Sequence, residues 1–188
     1  MKNISIFCFG FGQVAKDFIS KIKLENFNIN LSTTSRNETS KKIFDGVDYQ
    51  SYQFNNYKYD ENLIVKLREA EYILVSIPPQ EGEDIVAKNL HKFMKTSKAK
   101  WITYLSSTSV YGDHNGEWVD ENSETKPTSS NGINRLKSEN VWLSLKVKKN
   151  LPIQIFRLSG IYSNEKNILV RLKLGTAKLI NKKDHYFS

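Results

Sequence analysis

Three groups of residues in this chain have the types and spacing to do chemistry. The first is Gly10-Phe11-Gly12-Gln13-Val14-Ala15, a G-x-G-x-x-A turn. Gly10 permits a tight turn, Gly12 lets a pyrophosphate approach the backbone, and Ala15 lets a helix pack closely on a strand. A helix starting there offers free N–H groups and a dipole that favour an anion. The second group is Thr34-Ser35-Arg36, about 20 residues past the turn, where a following strand would end beside a ribose. NAD sites place an Asp or Glu at that point to bind the ribose 2′-hydroxyl. Here the first carboxylate is Glu38, whereas Arg36 and its hydroxyl neighbours suit a 2′-phosphate, so NADP is expected ahead of NAD. The third group is Ser106-Ser107-Thr108-Ser109-Val110-Tyr111, in which Ser107 and Tyr111 stand four apart. A serine can hold a substrate oxygen, and a tyrosine can pass a proton. Each group also has a plainer reading: a packing turn, a surface arginine, a tyrosine closing a strand.

The elements that must position these residues follow from apolar periodicity. Ile4 to Phe9 is a short apolar run with β-branched residues, hence a buried strand. Val14, Ala15, Phe18, Ile19 and Ile22 share one helix face after it. Phe27 to Thr33 alternates as a second strand, and a weaker one lies around Tyr49 to Phe54. Asp60 offers an N-cap for a helix carrying Leu63, Ile64 and Leu67. Tyr72 to Ile77 is a fourth strand, stopped by Pro78 and Pro79. Ile85, Val86, Leu90, Phe93 and Met94 stripe the next helix, and Trp101 to Leu105 is a fifth strand. After a long loop, a helix from about Gly132 carries Ile133, Leu136, Leu143 and Val147 on one face, followed by a sixth strand, Ile153 to Leu158. This alternation predicts a parallel sheet covered on both faces by right-handed crossovers. The tail from Asn164 reads as a short helix and then a polar end. Without repeats or a linker, residues 1–188 form a single domain.

Composition narrows the function classes. At 188 residues the chain needs no staples, and its 39% hydrophobic and 26% charged residues are those of a globular protein. No apolar run reaches the ~20 residues of a membrane helix, and the glycine-interrupted N-terminus is not a signal peptide. Cys8 is the lone cysteine, which excludes an internal disulfide or a multi-cysteine zinc site. A cytoplasmic protein without membrane contact is expected. The net charge of +8 raises nucleic acid as a partner. Of the 28 basic residues, however, only Arg36, Arg68, Arg135, Arg157 and Arg171 are arginine, and acids are interleaved with the lysines. A solvated lysine surface fits better than base reading, and Lys146, Lys148 and Lys149 sit where a helix end favours cations.

Leu105-Ser106-Ser107-Thr108-Ser109-Val110-Tyr111-Gly112-Asp113 resembles the fifth-strand motif of the extended short-chain dehydrogenase/reductases, the NAD-dependent epimerase/dehydratase family. Trp118-Val119-Asp120-Glu121, Pro127 and Arg157-Leu158-Ser159-Gly160-Ile161-Tyr162 continue the resemblance in the right order. It implies a Rossmann fold, an α/β doubly wound parallel sheet, with a small C-terminal substrate lobe beginning near residue 164. It also implies a cofactor site made by Gly10, Phe11, Gly12, Gln13 and Val14, by Thr34, Ser35 and Arg36, by Ile77, Pro78 and Pro79 along the cofactor, and by Ser106. The family's catalytic set is a serine, a tyrosine and a lysine four residues after the tyrosine. Ser107 matches the serine. The Tyr-x-x-x-Lys slot reads Asn131-Gly132-Ile133-Asn134-Arg135. Asparagine is no useful proton donor, and arginine is effectively never deprotonated. Arg135 remains fit to hold ribose or phosphate.

That departure resembles the atypical branch, whose members keep the cofactor fold with an altered active site. Tyr111 is then the nearest substitute donor, with His114 or Asp113 to assist. The expected function is an NADP-binding oxidoreductase or epimerase acting on a nucleotide-sugar-like or small carbonyl/alcohol substrate. The alternative is a non-catalytic NADP sensor or structural protein. Relatives continue past Ser188, so a truncated chain or a reduced substrate lobe is expected. In extended relatives two subunits pair through the helices after the fourth and fifth strands. A homodimer here would use Ile85, Phe93, Val141, Trp142 and Leu145, with Trp142 as anchor. The other place for Trp142 is beneath the loop from Gly112 to Ser130.

Overall fold

The alternation within β1 (Asn3–Phe9) assigns the two faces of the sheet. Ile4, Ile6 and Cys8 join one apolar cluster, while Phe7 and Phe9 join the other. The computed structural model describes residues 2–55, 58–80, 82–163 and 167–177. After β1 come α1 (Gln13–Leu24), β2 (Asn28–Ser35), β3 (Ser40–Phe44), β4 (Val47–Gln53), α2 (Asn62–Glu69) and β5 (Tyr72–Val75). Next are α3 (Ile85–Met94), β6 (Trp101–Ser107), a 3-10 turn (Thr108–Val110), α4 (Ser130–Lys149), β7 (Ile153–Leu158) and α5 (Ile168–Lys173). The seven strands run in the order β3-β4-β2-β1-β5-β6-β7, parallel except for β3. α1 covers one face. α2, α3 and α4 cover the other, over Phe7, Phe9, Ile73, Val75, Ile102 and Tyr104.

Four expectations change. The sheet is doubly wound, but an antiparallel edge strand, β3, adds to the six predicted strands. Its two-residue turn to β4 is Asp45-Gly46, with φ of 48° and 73°, the left-handed pair that an Asp-Gly hairpin favours. Second, Asp60 stands one residue ahead of the α2 N-cap, Glu61, and accepts the Asn62 N–H at 2.9 Å. Third, the apolar stripe of α4 faces outward: Ile133 and Leu143 are exposed and Val147 is 81% exposed. Its buried face is Gly132, Ser138, Glu139 and Trp142, because Glu139 and Trp142 have polar partners and a glycine permits close approach. A Cβ on Gly132 would meet the Ser109 carbonyl oxygen at 2.5 Å.

Fourth, Trp142 is neither an interface anchor nor a prop beneath the loop. It is fully buried, stacks on Tyr104 at 5.8 Å and donates its indole N–H to Asp84 Oδ2 at 2.9 Å. Ile85 is buried too, and Phe93 and Leu145 pack against the same core. The lysines at the end of α4 precede Asn150, whose left-handed φ of 50° closes the helix. Among the described residues no helix is long and apolar enough to cross a membrane, and no cluster of His, Cys, Asp or Glu could hold a metal. Of the tail, residues 164–166 and 178–188 lie outside the described residues.

Candidate functional site

β1 and β5 are neighbours, and the chain departs from them toward opposite edges of the sheet. Such a reversal opens a crevice at the C-terminal strand ends. Gly10 sits there with φ +81°, in the left-handed region that favours glycine. Its N–H donates to Thr34 Oγ1 at 2.9 Å. From β5's end, Ser76 Oγ lies 2.9 Å from the Phe9 carbonyl and 3.2 Å from the Gly10 carbonyl. A Cβ on Gly10 would come within 2.8 Å of that hydroxyl. The turn is thereby fixed by β2 and β5 together.

Gly12 is the N-cap of α1, in extended conformation and without a side-chain cap. A Cβ built there meets nothing within 4 Å. The space over the helix start is open, as a pyrophosphate cradle requires. It belongs to a cavity of about 250 Å³ lined by Gly10, Gly12, Thr34, Ser35, Arg36, Phe54, Asn55, Ser76, Ile77, Pro78, Gln80 and Ile85. Phosphate-binding backbone, a hydroxyl-and-arginine strand end and an apolar wall fit a dinucleotide.

Within the first motif, Phe11, Gln13 and Val14 turn their side chains elsewhere. Phe11 packs edge-on to Phe44 at 5.4 Å and against Tyr49 at 5.0 Å, and Val14 joins the α1-side core. Gln13 Nε2 reaches Asp17 Oδ2 at 3.5 Å. Only their backbones face the turn's chemistry. Pro79 falls outside the cavity lining while Ile77 and Pro78 lie in it. Ser106 is buried in β6, its hydroxyl without a partner. Sequence reasoning missed Ser76, although it directly precedes the Ile77-Pro78-Pro79 stop.

The second region lies at the end of β6. Ser107 caps the 3-10 turn, its Oγ accepting the Ser109 N–H at 3.2 Å, and the hydroxyl proton remains to donate. Ser107 and Tyr111 share the wall of a large open cavity of about 1940 Å³ with His114, Trp118, Arg157 and Ser159. Tyr111 is buried, and the Arg157 guanidinium lies 4.8 Å from its ring centre. Arg157 Nε and Nη2 donate to both oxygens of Glu139, at 2.9 to 3.3 Å. The hydrogen bonds it donates to Glu139 hold the Arg157 proton well above the ordinary arginine value. Neither residue of this pair was given a role from sequence: Arg157 stood within a recognised motif, and Glu139 carried no signal.

Arg135 lies apart from both cavity walls. Its Nη1 donates to the Leu105 carbonyl at 2.7 Å and to the Tyr104 hydroxyl at 3.3 Å. Burial pushes the Tyr104 hydroxyl above its ordinary value, with Arg135 pulling the other way. Asn131, at the head of the altered slot, is exposed.

No family model matches the chain, and no curated protein matches it in sequence. Solved structures do. A functionally unknown conserved protein from Silicibacter pomeroyi DSS is 28% identical with a TM-score of 0.74, over 97% of this chain and 62% of that one. UDP-N-acetylglucosamine 4-epimerase from Bacillus cereus is 22% identical, TM-score 0.67, over 87% and 56%. The chain shares the Rossmann-like fold of that epimerase structure. UDP-glucuronic acid 4-epimerase from Bacillus cereus, solved with UDP-glucuronic acid and NAD, has the same fold at 15% identity and TM-score 0.69, over 90% and 62%. This chain thus spans less than two thirds of the length of each of these structures.

Proposed function

We propose that the chain is the cofactor-binding part of an NADP-dependent oxidoreductase or epimerase acting on a nucleotide-sugar-like or small carbonyl/alcohol substrate. The observation that carries this reading is the fixed Gly10–Gly12 turn opening on the cavity that Arg36 also lines. Backbone N–H groups at the start of α1 would hold the pyrophosphate, and Thr34, Ser35 and Arg36 the adenosine end. The solved epimerase complexes carry NAD; the preference for NADP rests on Arg36 and on the missing carboxylate at the end of β2. When bound, the dinucleotide supplies or takes up hydride. Ser107 would hold the substrate oxygen, and Tyr111 on the same wall would exchange its proton.

A non-catalytic NADP-binding protein is the second reading, favoured by the exposed asparagine at 131. A screen of nucleotide sugars and simple aldehydes with NADPH separates the two. Oxidation of NADPH that Ser107→Ala lowers at least tenfold is the expected result. Binding without turnover on any substrate would leave the sensor. Arg36→Ala should weaken NADPH about tenfold or more while sparing NADH, since a charged phosphate contact is lost. Equal weakening of both would remove the NADP assignment.

A further inference from the structure

Tyr111 is the proton donor only if something stabilises the anion it leaves behind, and the altered slot offers no free cation for that. Arg135, the basic residue of the slot, is engaged by Leu105 and Tyr104. Arg157 is differently placed. Its guanidinium stands 4.8 Å from the Tyr111 ring centre, on the wall that Ser107 and Tyr111 share. Glu139, its side chain 1% exposed, binds Nε and Nη2 and leaves Nη1 buried with no hydrogen-bond partner. A buried N–H without a partner on a partly buried, always-charged side chain needs an explanation.

We infer that Arg157, clamped by Glu139, is the positioning cation that receives the negative charge of Tyr111 when the tyrosine gives up its proton. The inference rests on the oxidoreductase reading above and adds the group that makes its donor work. In the reducing direction the substrate carbonyl carbon accepts hydride from the reduced nicotinamide dinucleotide while its oxygen accepts the Tyr111 proton. The tyrosine O–H bond breaks, an O–H bond forms on the product alcohol, and the charge is left on a phenolate whose ring lies under the Arg157 guanidinium. Solvent in the open cavity then returns the proton.

Other groups near Tyr111 do not supply that charge. His114 meets its ring edge-on at 6.4 Å, while His114 Nε2 contacts the Glu124 carbonyl oxygen at 3.1 Å. Asp113 on the same loop would repel an anion. Lys126 donates its backbone N–H to the Tyr111 carbonyl, but its ammonium pairs with Glu124. From α4, Glu139 pairs with Arg157, and Lys146 also lines the cavity.

The test uses 3-fluorotyrosine placed at position 111 in the cofactor-free protein and follows its ¹⁹F signal with pH. Removing a cation within about 4–6 Å moves a titration by about 1–3 units. Arg157→Gln combined with Glu139→Gln keeps a neutral hydrogen-bonding pair, and the midpoint should rise by one unit or more. Arg157→Lys should keep it within half a unit of the parent. An unchanged midpoint in the double variant overturns the inference. On the active protein, Tyr111→Phe should lower kcat at least 100-fold with NADPH affinity unchanged, and full kcat would overturn it as well. Loss of NADPH binding by the parent protein would instead sink the oxidoreductase reading, which the ¹⁹F result does not touch.

Discussion

The two ends of the site are held in different ways. At the β1 turn, Gly10 donates its N–H to Thr34 and its carbonyl accepts from Ser76, in a backbone conformation where a side chain is strained. At the end of β6, an ion pair between the buried Glu139 of α4 and the partly buried Arg157 of β7 backs a tyrosine on a wide cavity. The turn resembles what any dinucleotide fold needs, so its residues are prescribed. The β6 end carries Asn131 and Arg135 on α4, and the charge beside Tyr111 comes from β7. The turn end is thus built from backbone and neutral side chains, while the β6 end is built around a charge pair.

That contrast can be broken by mutation. Glu139→Ala leaves the partly exposed Arg157 without its partner and should cost about 1.5–3 kcal/mol in urea unfolding. Replacing both partners by apolar residues of similar volume should restore most of it. If Glu139→Ala costs less than 1 kcal/mol, the ion pair does not hold this end. Gly10→Ala should cost about 1–3 kcal/mol, from the positive φ and the 2.8 Å contact with Ser76. A thermal melt indistinguishable from the parent would show that the turn is not fixed as described.

The smallest effect lies between the two ends, at Asp84. This N-cap of α3 accepts the Val86 and Ala87 N–H groups and the Trp142 indole. Burial raises its carboxyl above the ordinary value, so the folded state holds the proton more tightly than the unfolded chain. Its contribution to stability therefore falls as pH rises from the unfolded value of about 4 through the folded one. Asp84→Asn should flatten that slope in unfolding midpoints measured across the window. An unchanged slope would mean that the carboxylate is fully compensated by its donors.

Much of the turn end was legible in the sequence, because the glycine spacing, the strand before it and the helix after it are local signals. Thr34 and Arg36 were legible for the same reason. β3 was not inferred: Lys41 and Lys42 mask any apolar alternation, although Asp45-Gly46 marked the hairpin. The face of α4 was misread because its exposed side carries Ile133, Leu143 and Val147, while its buried side carries Ser138 and Glu139. Apolar periodicity cannot register a buried glutamate whose partner lies on another element. Arg157 and Glu139 meet through the α4–β7 connection, and only the three-dimensional structure brings them under Tyr111.

The claim that the β1 turn cradles a dinucleotide pyrophosphate is tested most directly at Gly12. Its backbone is extended and a Cβ meets nothing, so Gly12→Ser should fold as the parent does, serine being at least as good an N-cap. The added side chain would project into the space the pyrophosphate needs. Nicotinamide fluorescence titration of NADPH into both proteins should show binding to the parent and at least tenfold weaker binding to Gly12→Ser, with melting temperatures alike. Equal affinity in the two proteins, or no binding to the parent at millimolar NADPH, would contradict the account.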